Sequence, residues 1–404
     1  MRIGIVANAY HPDIGGVETH VKRLCAGLLA AGDEVEVITQ HRSRSEETVD
    51  GVLVRRFPLT VPAGNYRLSL PLWRWLRRHA DEYDVLHVHS YHALASLGAA
   101  QAGTRTPMVF TPHYHGTGHS RFRAALHPLY RPLGRTILTR SSAVVCVTAA
   151  ERELLLRHFP EVGDRTVVIP NGTDPRPAVP VVPAQSRRIL CVGRLEQYKR
   201  VDRVIRAMAH LGPDHRLDVV GTGPAADRWR QLAARLGLAG QVVFHGRLDD
   251  AAFASCLAQA SAAVSASAHE AFGMAVADAL AAGLPTVAAP IPAHQEVARL
   301  AGDGVWLRYA DPDDEADLAA AIIEATSAGR KRPATLPTWD DVVGGIRDVY
   351  AAVTARPAAQ IPQPAAALSQ PAAAPSQQAA ALSQQAAALS QPAAARTQPA
   401  EAVG

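Results

Sequence analysis

Two carboxylates eight residues apart, Glu270 and Asp278, bracket the stretch His269-Glu270-Ala271-Phe272-Gly273-Met274-Ala275-Val276-Ala277-Asp278. Helix formers dominate from Phe272 to Ala282, and Gly283 and Pro285 end the run. One acid is therefore predicted in a loop before a helix and the other two turns inside it. A glycine-containing loop that opens a helix exposes backbone N–H groups at a positive dipole end, and phosphate is the usual guest there. Carboxylates beside such a site suit the hydroxyls of a ribose or a hexose. The same pattern also fits an acid at a helix start with a second acid on a solvated face, because helix starts favour acids.

Arg194 and Lys199 lie five residues apart, just after the apolar run Ile189-Leu190-Cys191-Val192-Gly193. Two cations in a loop at the carboxyl end of a strand suit a diphosphate, although surface charge at a helix start would look similar. Arg194, Lys199, Glu270 and Asp278 together describe a site for a nucleoside-diphosphate sugar better than any one does alone. His113 follows the strand-like run Pro107–Thr111, with His115 close behind, and His87 and His89 alternate on another apolar run. No acid stands near these histidines, and carboxylate second shells are usual for metal-bound histidines. His87 and His89 are therefore predicted to be satisfied structural histidines, with no metal, while His113 in a cleft could bond a sugar hydroxyl or polarise a phosphate.

The elements that position these residues repeat along the chain. Ile3–Ala7 is a short buried-strand run, followed by the Gly15-Gly16 loop, an amphipathic helix and the strand Glu34–Thr39. Gly15-Gly16 permits close backbone approach to a ligand but is not the G-x-G-x-x-G dinucleotide pattern. Further strands are predicted at Asp84–His89, Pro107–Thr111, Ala143–Thr148 and Val167–Ile169. A Pro-rich segment at 175–186 reads as a linker. Strands then alternate with helices again from Arg188 to about 335, and Thr338 caps a last amphipathic helix. This predicts two doubly wound α/β domains, residues 1–174 and 187–335, with a closing helix at 336–355. From Gln363 a seven-residue unit rich in Gln, Ala, Ser and Pro repeats to the end. Its prolines and single large apolar residue per unit rule out a coiled-coil core, so 356–404 is predicted to be a disordered tail.

The 404 residues are 48% hydrophobic, enough for two buried cores, and the net charge of +4 with a pI of about 9.0 fits an anionic substrate or surface without demanding nucleic acid. The four cysteines show no metal or redox spacing. No signal peptide and no 18-residue apolar span is evident, which predicts a cytoplasmic protein, with membrane contact at the inner face of the plasma membrane. The interval between Asp84 and Glu151 holds no acid but six arginines and seven histidines. There and just upstream, Arg67, Arg74, Arg77, Arg78, Arg121, Arg123, Arg131, Arg135 and Arg140 interleave with aromatic and aliphatic residues. Such stretches suit an anionic membrane surface, or equally a helix with an apolar core face and a solvated arginine face.

In order and spacing, several motifs resemble those of the retaining glycosyltransferases of family 4. They are Gly15-Gly16-Val17-Glu18, Thr111-Pro112-His113, Ile169-Pro170-Asn171-Gly172-Thr173-Asp174, Val192-Gly193-Arg194-Leu195 with Lys199, Phe244-His245-Gly246, and Glu270-Ala271-Phe272-Gly273 through Asp278. The resemblance covers roughly residues 1–355 and implies a GT-B fold, with the acceptor bound by the first domain and the donor by the second. It implies that Arg194 and Lys199 grip the donor diphosphate and that Glu270 contacts the donor sugar. Phe272 and Gly273 then present backbone amides, and Asp278 holds the ribose. Gly15, Gly16, Gly193 and His245 line the donor site, and His113 sits at the sugar and acceptor. Asp278 stands where the family normally has Glu, and Arg200 where Gly commonly follows the lysine. The expected activity is transfer of a hexose, with retention, from a UDP- or GDP-linked donor to a lipid, glycan or small-molecule acceptor in cell-envelope synthesis. No metal or other cofactor is implied. A nucleotide-sugar epimerase on the same fold and a non-catalytic nucleotide-sugar-binding protein remain as alternatives.

Overall fold

A computed structural model describes residues 1–13, 15–61, 67–114, 121–174 and 187–355, with only the backbone path of 121–129. The linker at 175–186, the tail at 356–404 and His115 lie outside the described residues.

The first apolar runs form β1 (Arg2–Val6), β2 (Glu34–His41), β3 (Ser45–Val49), β4 (Val52–Pro58), β5 (Val85–His89), β6 (Met108–Thr111), β7 (Ala143–Cys146) and β8 (Thr166–Val168). They make one sheet in the order β3-β4-β2-β1-β5-β6-β7-β8. Every pairing is parallel except β3 with β4. That hairpin turns at Asp50-Gly51, both at positive φ (51° and 82°), the conformation a tight hairpin turn demands. Helices α1 (Gly16–Ala30), α2 (Leu70–His79), α3 (Leu94–Ala100), α4 (Arg121–Arg140) and α5 (Ala149–His158) cover the faces. The central strands are apolar without alternation because both faces are covered, and Ile3, Ile5, Val37 and Val85 are fully buried.

The second series gives β9 (Arg188–Val192), β10 (Arg216–Val220), β11 (Val242–Gly246), β12 (Ala262–Ser265), β13 (Thr286–Ala288) and β14 (Leu307–Tyr309). They are all parallel, in the order β11-β10-β9-β12-β13-β14. Its helices are α6 (Val201–Met208), α7 (Ala226–Arg235), α8 (Asp250–Gln259), α9 (Met274–Ala281), α10 (Pro292–Ala301) and α11 (Glu315–Ser327). Both units are Rossmann-like. In each, strand order reverses at one strand, β1 in the first and β9 in the second. Ligands of open α/β sheets bind beyond the carboxyl ends of strands at that reversal. Gly15-Gly16 follows β1, and Gly193-Arg194 follows β9.

The last helix, α12 (Trp339–Ala355), begins with a reciprocal cap. Thr338 Oγ1 accepts from the Asp341 amide at 3.2 Å, and Asp341 Oδ2 accepts from the Thr338 amide at 2.8 Å. Its apolar face, Val342, Val343, Ile346, Val349 and Tyr350, joins the core of the first domain. Gly27 of α1 is where the helices touch, because a Cβ there would collide with Val343.

Candidate functional site

The Arg194 loop is built on glycine. The Gly193 amide donates to the Val220 carbonyl at 3.0 Å and the Leu195 amide to the Thr222 carbonyl at 2.9 Å. This brings the Gly221-Thr222-Gly223 turn against the loop so closely that a Cβ on Gly221 would strike the Gly193 carbonyl, and one on Gly223 the Leu195 carbonyl. Gly221 also lies at φ +135°, where side chains are rarely tolerated. Arg194 projects into solvent, with Nη2 2.7 Å from Glu196 Oε1. Lys199 ends a short 3-10 turn, and Arg200 after it adopts a left-handed conformation (φ 51°, ψ 35°). That geometry explains why glycine suits this position. Here arginine takes it instead, with its guanidinium 3.1 Å from Asp313.

Lys199 turns inward and pairs with Glu270, both side chains mostly buried. Burial by itself would push the Glu270 carboxyl up. The Lys199 ammonium and a hydrogen bond from Ser267 outweigh it and hold the group below the ordinary carboxylate range. Burial likewise pulls Lys199 down, and the Glu270 charge more than offsets it, so the ammonium is held above its ordinary value. The two loops are further tied where Tyr198 stacks on His269 at 4.6 Å and the Ala268 amide donates to the Tyr198 carbonyl at 2.8 Å. A hollow between them is lined by Gly193, Lys199, Ser265 and Ser267.

Behind Glu270 the chain enters α9. The helix begins at Met274 rather than Phe272, because Gly273 sits at φ +97° as its N-cap, a left-handed conformation that no helical residue adopts. The Phe272 ring is buried, and the Val276 and Ala277 amides both donate to the Gly273 carbonyl, at 3.0 and 3.1 Å, which leaves the two amides before them as the open donors of the helix start. A Cβ on Gly273 would lie 3.0 Å from the His294 ring. His294 is fully buried; its Nδ1 donates to the Ala289 carbonyl at 2.8 Å and Nε2 lies 3.3 Å from Ser265 Oγ. Asp278 lies in the second turn of α9 and is half-buried.

His245 closes the end of β11, its Nε2 2.7 Å from Asp218 Oδ1, and Arg188 grips that carboxylate through both oxygens at 2.9 and 3.0 Å. The glycine loop of the first domain faces the Arg194 loop: a Cβ on Gly15 would lie 3.2 Å from Arg194 Cδ and would crowd Glu18. Gly16 opens α1. Burial raises the Glu18 carboxyl, and Arg194 pulls it back only in part. The domains also meet where Thr148 Oγ1 donates to the Ala271 carbonyl at 3.2 Å and where Met274 packs on the core of the first domain.

His113 is buried beyond β6 at φ +48°, held through its neighbour: the Tyr114 amide donates to the buried Glu151 carboxylate, which also accepts from Val147 N at 2.6 Å. His113 sits beside His20 of α1, ring centres 5.2 Å apart. The expectation that His87 and His89 are satisfied holds for His87 only. Its two nitrogens meet Tyr350 Oη at 2.7 Å and Thr111 Oγ1 at 2.8 Å. Both His89 nitrogens are buried without a hydrogen-bond partner among the described residues. On α2 the aromatic residues turn inward, with Trp73 Nε1 donating to the Leu94 carbonyl at 3.0 Å, while Arg74, Arg77 and Arg78 are exposed.

Sequence reasoning passed over Asp218, His294, Ser267, Glu151 and His20. A lone acid inside the apolar strand Leu217-Asp218-Val219-Val220 is the one signal that could have flagged Asp218. His20, His294 and the Tyr114 side of Glu151 meet groups distant in sequence, while Ser267, close before Glu270, carries no signal in a run of small residues.

Two Rossmann-like domains with parallel sheets define the architecture of sugar-transfer enzymes of the GT-B type, and the comparisons agree. Glycosyltransferase Family 4 matches residues 14–176 and Glycosyl transferases group 1 matches 176–335. The chain is 29% identical over 395 residues to a D-inositol 3-phosphate glycosyltransferase of Xylanimonas cellulosilytica, covering 86% of this chain and 94% of the relative. It is 30% identical over 341 residues to a phosphatidyl-myo-inositol mannosyltransferase of Mycolicibacterium smegmatis, covering 80% and 84%. It is 31% identical over 322 residues to a GDP-mannose-dependent alpha-(1-6)-phosphatidylinositol dimannoside mannosyltransferase of Mycobacterium tuberculosis, covering 74% and 81%. Among solved structures, Anabaena HepE in complex with UDP and glucose superposes with a TM-score of 0.68 at 19% identity, over 87% of this chain and all of that one. The chain belongs to glycosyltransferase family 4 and is a glycosyltransferase.

Proposed function

We propose that the protein transfers a hexose from a nucleotide-diphosphate sugar, with retention of configuration, and that the Arg194, Lys199 and Glu270 constellation is its donor site. The observation that carries this reading is the buried Lys199–Glu270 pair beneath the glycine-built Arg194 loop and beside the α9 N-terminus. Cations and free amides converge where a departing diphosphate gathers charge, which lowers the barrier without a protein nucleophile. Glu270 then meets hydroxyls of the sugar, and Asp278 those of the ribose. His113 stands on the acceptor side, and the leaving phosphate takes the acceptor's proton. None of these roles calls for a metal.

The relatives named above support an inositol-bearing acceptor, as phosphate or as phosphatidylinositol, and the last of them supports a GDP-linked mannose donor. The exposed arginines of α2 support docking on an anionic membrane. No described helix is long and apolar enough to cross one. The test is thermal stabilisation of the full chain across UDP- and GDP-sugars, followed by product analysis with phosphatidylinositol vesicles, inositol phosphate or no acceptor. Selective stabilisation by one donor, with sugar transferred only when acceptor is present, supports the reading. Free nucleotide formed without a glycosylated product would favour the epimerase alternative. Binding without turnover on any acceptor would favour the non-catalytic one.

A further inference from the structure

Three histidines from separate elements converge at the carboxyl end of the first sheet. His20 comes from α1, His89 from the end of β5 and His113 from the loop after β6, with ring centres 5.2 to 5.8 Å apart. One ring nitrogen from each lies within 4.8 Å of the other two. All three are buried. Among the described residues, His20 Nε2 and both nitrogens of His89 have no hydrogen-bond partner. Buried polar nitrogens without partners cost free energy, so a cluster of them calls for a ligand.

The chemistry of the cluster narrows that ligand. All three rings lie in the protein interior, His20 2%, His89 0% and His113 8% exposed, among apolar strand and helix residues. His20 Nδ1–H donates to Asn171 Oδ1 at 2.8 Å, which fixes the tautomer that bares Nε2 and supplies the outer support a metal-bound histidine needs. His87 is adjacent, its ring 4.2 Å from that of His89, but both its nitrogens are engaged. Among the described residues no carboxylate belongs to the group. Neutral imidazole donors without oxygen ligands favour Zn²⁺ and its neighbours over Mg²⁺ or Ca²⁺. Tetrahedral coordination at about 2.0–2.1 Å sets ligand nitrogens roughly 3.4 Å apart, so binding draws the three rings together.

We propose that His20, His89 and His113 form a three-histidine site for a divalent ion of the Zn²⁺ class, with the fourth position left to water or an anion. The site shares His113 with the proposed sugar cleft but does not depend on the transfer reading.

The experiment is Co²⁺ titration of chelator-stripped, full-length protein, followed by displacement with Zn²⁺. One equivalent is expected, with the intense visible bands of a tetrahedral nitrogen site and no thiolate charge transfer. That last feature excludes the partly exposed Cys256. His20→Asn and His89→Phe are each expected to weaken binding at least about 100-fold. Less than one equivalent, the weak bands of the hydrated ion, or wild-type affinity in both variants would overturn the proposal. Should either variant fail to fold, X-ray absorption on the Zn²⁺-loaded wild type decides by counting imidazoles: three support the site and fewer overturn it.

Discussion

Replacing Lys199 with methionine keeps most of the side-chain volume and removes the charge paired with Glu270. Both side chains are only 14–16% exposed, so solvent does little to rescue the carboxylate left behind. Removing one partner of a buried pair costs about 3–5 kcal/mol. In the wild type, Glu270 titrates below its unfolded value of 4.5, so its contribution is present above pH 4.5 and lost as pH falls through the folded value. Lys199 titrates above 10.5, so its contribution is present below pH 10.5 and lost as pH rises through the folded value. Between those limits the pair acts in full. In Lys199→Met, burial dominates and raises Glu270, so stability falls as pH climbs above 4.5. At about 2–4 °C per kcal/mol for a domain of this size, the melting point should drop by roughly 10 °C at pH 8 and much less at pH 4. The double variant Lys199→Met/Glu270→Gln, with no charge to strand, should recover most of the loss. Scanning calorimetry of the three proteins at both pH values decides it. An equal loss at both, or a double variant as unstable as the single one, would refute the reasoning.

Glu151, pushed up to about 7 by burial against its two amide hydrogen bonds, makes the wild type lose stability as pH rises from 4.5 to 7, by roughly 3 kcal/mol. Glu151→Gln should flatten that slope in denaturant titrations. Tyr350→Phe strands His87 Nδ1 in the core between α12 and β5 and should lower the unfolding free energy by about 1–2 kcal/mol. Gly273→Ala forces a Cβ into a left-handed position against His294. It should cost about 1–2 kcal/mol and weaken binding of the nucleoside diphosphate measured by calorimetry.

Much of this was legible in the residues themselves. The unbroken apolar runs marked the central strands, and the Gly193–Lys199 and Glu270–Asp278 stretches marked the loops at their carboxyl ends, because both signals are local. The β3–β4 hairpin escaped notice because its edge strand, Ser45–Val49, is polar and exposed and lacks the alternation that announces a half-buried strand. The α2 aromatics fitted a membrane-facing stripe and a core face equally, because periodicity cannot distinguish a core from a bilayer; packing against α3 settles where Trp73 points. The histidine cluster and the Glu151 brace join residues many positions apart, and no local pattern could reveal them. His89 looked satisfied for the same reason as His87, since the sequence places both on one strand face without saying which polar groups arrive opposite.

The central claim, that this cleft stabilises a departing nucleoside diphosphate, is tested most directly by the initial rate of hexose transfer in Arg194→Ala against the wild type, at saturating donor. The exposed Arg194 contributes little to folding, so the protein should remain intact while the turnover rate falls by about 10²–10³. A rate within about twofold of the wild type would contradict the account.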